Sequence, residues 1–351
     1  MEMNNPRYFQ KAFRTFALFS IFALGLSASG CESTTAPTAV VPGLVKKPSV
    51  FILNEGSFNH ANASIDSRSL SDTSGLQNLI PHLGDVGNDL EFINGYLYVV
   101  LNGSGKIYAV RPDSALKVDS AMFSNGEAPN KITQISATEA IVTQLYNPNA
   151  VILSLQTMKQ TGVIQLGAGN VGVATLGNRA FISSGSDSLN VYDLTARKVT
   201  QIVKVGDDPQ TVFADSAHNQ ILVSCFGIYM KTSSSIFFVD GSSKSVTDSV
   251  RITNGDFIGN VVLGSKYAYA IAGDRVVSID LVSHKVVSES FIKNANSYYN
   301  GAYDATNNEL YLGNAGSFSA SGSVDVFDAT SGVLKRSFGA GIAPAHFAFY
   351  R

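Results

Sequence analysis

The chain has 351 residues, with 25 basic and 27 acidic side chains and a formal net charge of −2. That balance, with no basic stripe and no acidic tail, excludes nucleic acid as a partner. Only two cysteines are present, Cys31 and Cys225, so the chain is not a disulfide scaffold.

Residues 1–30 read as a secretion signal. Arg7, Lys11 and Arg14 form a basic start, and residues 15–26 (TFALFSIFALGL) form an apolar run. The run is shorter than the roughly 20 apolar residues that span a bilayer. Ala28, Ser29 and Gly30 place small residues immediately before Cys31. This arrangement resembles a bacterial lipobox, which implies cleavage before Cys31 and acylation of its thiol. Residues 31–47 have the Ser/Thr/Pro/Ala/Gly bias of a tether. The folded domain is expected over 48–351, anchored outside the cytoplasm, on the outer membrane or cell surface, by its lipid alone. Cys225, between apolar neighbours, reads as a small buried hydrophobe in a strand.

From Ser49 onward, short runs alternate apolar and polar residues, the period of a half-buried strand. Asp-Ser-Gly-type clusters separate the runs and supply turn chemistry. The pattern is clearest over residues 308–350, which read as four consecutive strands: Glu309 to Gly313, a run around Val324 and Val326, Val333 to Phe338, and His346 to Tyr350. Aligning the C-terminal residue of each middle strand gives Ser69, Arg111, Leu155, Asp193, Asp240, Asp280 and Asp328, at intervals of 38–48 residues. Four strands in such a period signal propeller blades, and seven repeats are counted. The first unit begins at its second strand, so His346 to Tyr350 must supply the missing innermost strand from the other terminus. The fold class is therefore all-β: a seven-bladed propeller of four-stranded antiparallel blades, closed by the C-terminal strand.

Leu97-Tyr98-Val99-Val100-Leu101-Asn102 and Leu310-Tyr311-Leu312-Gly313-Asn314 resemble the YVTN repeat of bacterial surface-layer and periplasmic propellers. Gly206-Asp207-Asp208-Pro209 and Gly341-Ile342-Ala343-Pro344 resemble that family's G-x-x-P step into the innermost strand. Asn54-Glu55-Gly56-Ser57-Phe58 looks like a surface lipoprotein subgroup, some members of which capture corrinoids for an outer-membrane transporter. What the resemblance implies is the propeller fold, and a small molecule or a transporter or other surface protein as partner. The domain is expected to be monomeric.

Loops between second and third strands vary most, at 54–62, 102–105, 145–149, 226–235 and 313–322. They share one face with the lead-ins to the innermost strands, and loop variation on a rigid scaffold is where binding resides. On that face six of seven lead-ins carry a carboxamide: Asn88, Asn130, Asn170, Gln210, Asn260 and Asn300, with His346 in the seventh unit. A carboxamide both donates and accepts, so this ring is a candidate grip for a polar ligand, or else it bonds strand backbone within each blade. Acidic residues gather beside it (Asp85, Asp89, Glu127, Asp207, Asp208 and Asp256), without Ca-loop spacing. Phe58, Tyr146, Phe226, Tyr229 and Phe318 are available to stack on a ligand or on neighbouring blades.

No Gly-x-Ser-x-Gly elbow, His-Glu-x-x-His helix or phosphate loop is present, and no two histidines have metal-ligand spacing. His218 and His284 fall in opposite-face turns and are expected to be solvated. The absence of Trp sets the chain apart from quinone-dependent dehydrogenase propellers. The expected protein is not an enzyme and holds no cofactor or metal. It binds a small molecule, or, alternatively, serves as an adhesion or protein-interaction scaffold; a third and lesser reading is an enzyme whose residues converge only in three dimensions, in the propeller channel.

Overall fold

The structure, a computed structural model, describes residues 45 and 47–351 apart from 73, 125–126, 168, 229, 253–257 and 294–297. The signal segment, Cys31 and the tether up to residue 44 lie outside the described residues, as do Tyr229 and Asp256. Among the described residues, 28 strands form seven four-stranded antiparallel sheets. Their innermost strands, which surround an axial channel, are Pro344–Tyr350 (blade 1), Gly87–Ile93 (blade 2), Pro129–Gln134 (blade 3), Val173–Leu176 (blade 4), Pro209–Asp215 (blade 5), Ile258–Leu263 (blade 6) and Tyr298–Asp304 (blade 7).

Burial follows position in the blade. Second strands such as Ser49–Asn54 and Gln220–Cys225 are buried along their whole length, because other blades cover both faces. Fourth strands face solvent: Gly75–Ile80 is exposed at its first four residues. Cys225 is fully buried, as expected, and burial pushes its thiol up to about 12. Val45 is also buried, and its N–H donates to Asp113 O at 3.1 Å.

The ring closes as the strand count requires. Pro344–Tyr350 pairs with Ser49–Asn54, with Tyr350 opposite Ser49, Ala348 opposite Phe51 and His346 opposite Leu53. The four-strand run read over residues 308–350 therefore straddles two blades. Glu309–Asn314 takes its inner partner from Tyr298–Asp304, while the final strand belongs to blade 1. The strand read as Val333 to Phe338 is longer, Leu334–Ile342, and the third strand of blade 3 ends at Ser154, one residue before Leu155.

One turn makes the repeats register so well. At Asp193, Asp240, Asp280 and Asp328 the carboxylate Oδ1 accepts from the backbone N–H two and three residues on, at 2.6–3.1 Å. These backbone bonds hold all four carboxyls below the ordinary range. The residue four positions after the Asp is left-handed: Arg197, Lys244, His284 and Gly332 have φ of 52°, 55°, 54° and 71°. Only blade 7 uses glycine there, so the turn is signalled by its Asp and not by the residue whose backbone it bends.

Candidate functional site

A cavity of about 400 Å³ opens at the loop-rich mouth of the axial channel. Ten of the eleven expected ligand-site residues line it: Asn88, Asp89, Asn130, Gln210, Asn260, Asn300, His346, Phe58, Tyr146 and Phe226. Asn170 does not. The inner strand of blade 4 is only four residues long and starts after it, at Val173. Asn170 is fully buried instead, accepting from Gln144 N at 2.7 Å and donating to Asn147 O at 2.6 Å.

Asn88, Asn130 and Asn260 bond between blades, whereas Gln210 and Asn300 bond within their own. Asn88 Nδ2 donates to Asn130 Oδ1 at 2.9 Å, and Asn130 Nδ2 donates to Val171 O at 3.1 Å. Asn260 Nδ2 donates to Tyr299 O at 2.8 Å in the following blade. Within blade 5, Gln210 Nε2 donates to Asp208 Oδ1 at 2.7 Å. At Asn300 the carbonyl oxygen instead accepts from Gly301 N at 2.8 Å. The innermost strands have no sheet partner on their channel side, so side-chain bonds of this kind tie neighbouring blades around the axis.

Sequence reasoning missed the charged waist of the channel. Glu91 and Lys131 line both this cavity and a second opening of about 620 Å³ at the other mouth, so they mark the narrowing between the two. Lys131 Nζ lies 3.2 Å from Asp89 Oδ1 and 3.5 Å from Glu91 Oε1. Asp89 is buried, and its other oxygen accepts from Ile132 N at 2.9 Å. Burial opposes the ammonium charge of Lys131, but Asp89 and Glu91 more than offset it and hold its pKa above the usual range.

Protein encloses Glu91, although 40% of its side chain remains open to the channel. Burial, assisted by Asp89, pushes its carboxyl up to about 7, against the opposing pull of Lys131 and His346. A carboxyl raised in the folded state favours folding at low pH, where it keeps its proton. That contribution is lost as pH climbs from 4.5, the ordinary glutamate value, through about 7. Glu91→Gln, which cannot ionise, should therefore raise the melting temperature at pH 8 and change it little at pH 5. Melting both proteins at both pH values checks this; an equal difference at the two would show that Glu91 does not titrate there. Asp89, Lys131 and His346 face Glu91 from the same channel and are present in both proteins.

Two further residues complete the floor and rim. Glu55 lines the cavity with its Oε1 3.7 Å from His346 Nε2, and Tyr299 packs edge-on against Phe318 with ring centroids 5.0 Å apart. On the opposite face His218 and His284 are not simply solvated. His218 Nδ1 is 2.7 Å from Asp215 Oδ2, and His284 stacks on Phe238 at 3.9 Å while Nε2 meets Gln220 Oε1 at 2.9 Å.

No family model matches the chain, and no curated protein matches it. Solved structures do. The periplasmic gluconolactonase PpgL of Pseudomonas aeruginosa superposes with a TM-score of 0.67 at 13% identity, over 86% of this chain and 99% of the other. Hydrazine synthase of Kuenenia stuttgartiensis gives 0.61 at 13% identity, over 74% of this chain and 88% of the other. At that identity the likeness shows the propeller fold. It also corrects the exclusion of catalysis, which rested on missing local motifs. Nearly the whole of this scaffold serves a gluconolactonase, and the ring can bring Glu91 and Lys131 together from strands forty residues apart, where no linear motif would reveal them.

Proposed function

We propose that the loop-rich mouth of the axial channel binds a small polar molecule. The observation that carries this reading is the convergence of five blades' carboxamides and three loop aromatics on one concave cavity of about 400 Å³. A volume of this size falls within the range typical of small-molecule sites, and a few polar groups among apolar walls is the usual composition. Phe58 and Tyr146 line the cavity with 39% and 41% of their surface exposed.

The lipobox-like sequence at Cys31 and the YVTN-type repeats extend the proposal to a lipid-anchored protein that holds its ligand outside the cytoplasm for a transporter. The mass of the mature N-terminal peptide decides the anchor.

Ligand-observed NMR with a mixture of polyols, amines, carboxylates and cobalamin tests the site. At least one class should bind the purified domain, and Tyr146→Ala and Asn260→Ala should each weaken it. Loss of one hydrogen bond at Asn260 corresponds to about 0.5–1.5 kcal/mol, roughly a two- to tenfold weaker Kd. Because Asn260 also ties two blades, affinity is measured well below the melting temperature of the variant. Affinity that neither change touches would remove the cavity as the site.

A further inference from the structure

Resting on that reading, we propose that the bound molecule is an organic cation with N–H donors, a primary or secondary ammonium. Three independent features of the cavity select for it.

The first is charge. Among the described residues, Glu55, Asp89 and Glu91 line the cavity against a single ammonium, that of Lys131. Lys131 already faces Asp89 and Glu91, so an anionic ligand would compete with two carboxylates for it. With three carboxyls to one ammonium the cleft carries an excess of negative charge, and such an excess concentrates the opposite sign.

The second is the polarity of the amide ring. At Asn88, Asn130, Gln210 and Asn260 the amide nitrogen donates to protein. The carbonyl oxygens of Asn88, Gln210 and Asn260 accept no hydrogen bond among the described residues. Gln210 lines the cavity, and its oxygen stays open to solvent there. An ammonium N–H can replace water at such open acceptors with a charge-assisted bond. Asn300 is the exception, since its oxygen is used by Gly301.

The third is the aromatic wall. Phe58, Tyr146 and Phe226, with the Tyr299–Phe318 pair, give π faces beside the carboxylates. Cations are drawn to such faces, and the attraction grows when water is displaced. Acceptors below and rings above suit a compact ammonium with an apolar body. The requirement for N–H donors favours it over a quaternary ion, and rings in place of a third closely set carboxylate favour it over a bare metal.

Benzylammonium, benzyl alcohol and benzoate have nearly the same shape and differ in charge. Titrated against the purified domain at pH 7.5 and low salt, benzylammonium should bind about tenfold more tightly than benzyl alcohol, and benzoate should not compete. Glu55→Gln should weaken benzylammonium about five- to tenfold and leave benzyl alcohol unchanged, and added NaCl should act in the same direction. If Glu55→Gln does not fold, Tyr146→Leu at the rim reads the same preference through loss of the cation–π contribution. Benzyl alcohol or benzoate binding as tightly as the cation, with the cavity variants weakening it, would overturn the ligand class and keep the site. Benzylammonium binding indifferent to both variants places the cation elsewhere and overturns the proposal. Failure of all three probes, together with a blank polyol and carboxylate screen, removes the site itself.

Discussion

A domain cut back to Ile342 is expected to lose its cooperative melting transition. The nine residues removed belong to three blades at once. Pro344–Tyr350 is the innermost strand of blade 1 and supplies the whole inner ladder of Ser49–Asn54. Phe347 and Phe349 pack on Tyr311 of blade 7 with ring centroids at 6.2 and 5.3 Å, and Tyr350 sits 6.0 Å from Phe51 and 5.9 Å from Phe92 of blade 2. Arg351 pairs with the carboxylate of Asp304, which is almost fully buried. Four aromatic contacts and the ladder together amount to about 5–10 kcal/mol, comparable with the total stability of a domain. The truncated chain would also expose Ser49–Asn54, six buried residues, as a raw apolar edge, and should aggregate. A circular permutant that starts at residue 343, joins 351 to 48 through a short linker and ends at 342 restores the same strand and should melt cooperatively. A truncated chain with the melting curve of the full protein would show that the ring does not need its closure.

The blade plan was legible because each repeat writes the same local chemistry. Val324 and Val326 alternate with polar neighbours, and Asp193, Asp240, Asp280 and Asp328 each close the same turn with the same two backbone bonds. Those features act over a few residues, so they survive in the linear sequence. The missing strand of the first unit was legible for a different reason, that a ring has to balance its strands. The phase of the blades was harder, since the sequence repeats equally well from any strand and only pairing decides where a sheet begins.

The site was legible only where it repeats. The amides of blades 2, 3, 5, 6 and 7 stand at equivalent positions and meet at the channel, whereas Asn170 looks equivalent but is turned away by the shortened strand of blade 4. Glu91 and Lys131 break the repeat and are therefore invisible to it. Glu91 shares the channel-facing side of its strand with Asp89, two residues earlier, but nothing in the sequence says that Lys131 of the next blade reaches both. The bonds donated by Asn130 and Asn260 were equally hidden, because their partners are backbone oxygens of other blades.

Asp89→Ala should be the most damaging single substitution in the channel, with a loss of about 3 kcal/mol. Removing one member of a buried ion pair typically costs about 3–5 kcal/mol, because the other charge is left without its compensation. Here Lys131 keeps Glu91 at 3.5 Å, which sets the loss toward the lower end, while Ile132 N–H loses the acceptor it holds at 2.9 Å. For a domain of this size the melting temperature should fall by roughly 6 °C. The same change also alters pH behaviour. Asp89 helps to raise Glu91, so without it the Glu91 carboxyl falls back toward its ordinary value and the loss of stability between pH 4.5 and about 7 should shrink. Adding Lys131→Met removes the stranded charge with little change in volume, and the double variant should recover most of the loss. Denaturant unfolding of the two singles and the double closes the cycle. If the double loses the sum of the two singles, the ions act independently, and the waist of the channel is not held by this pair.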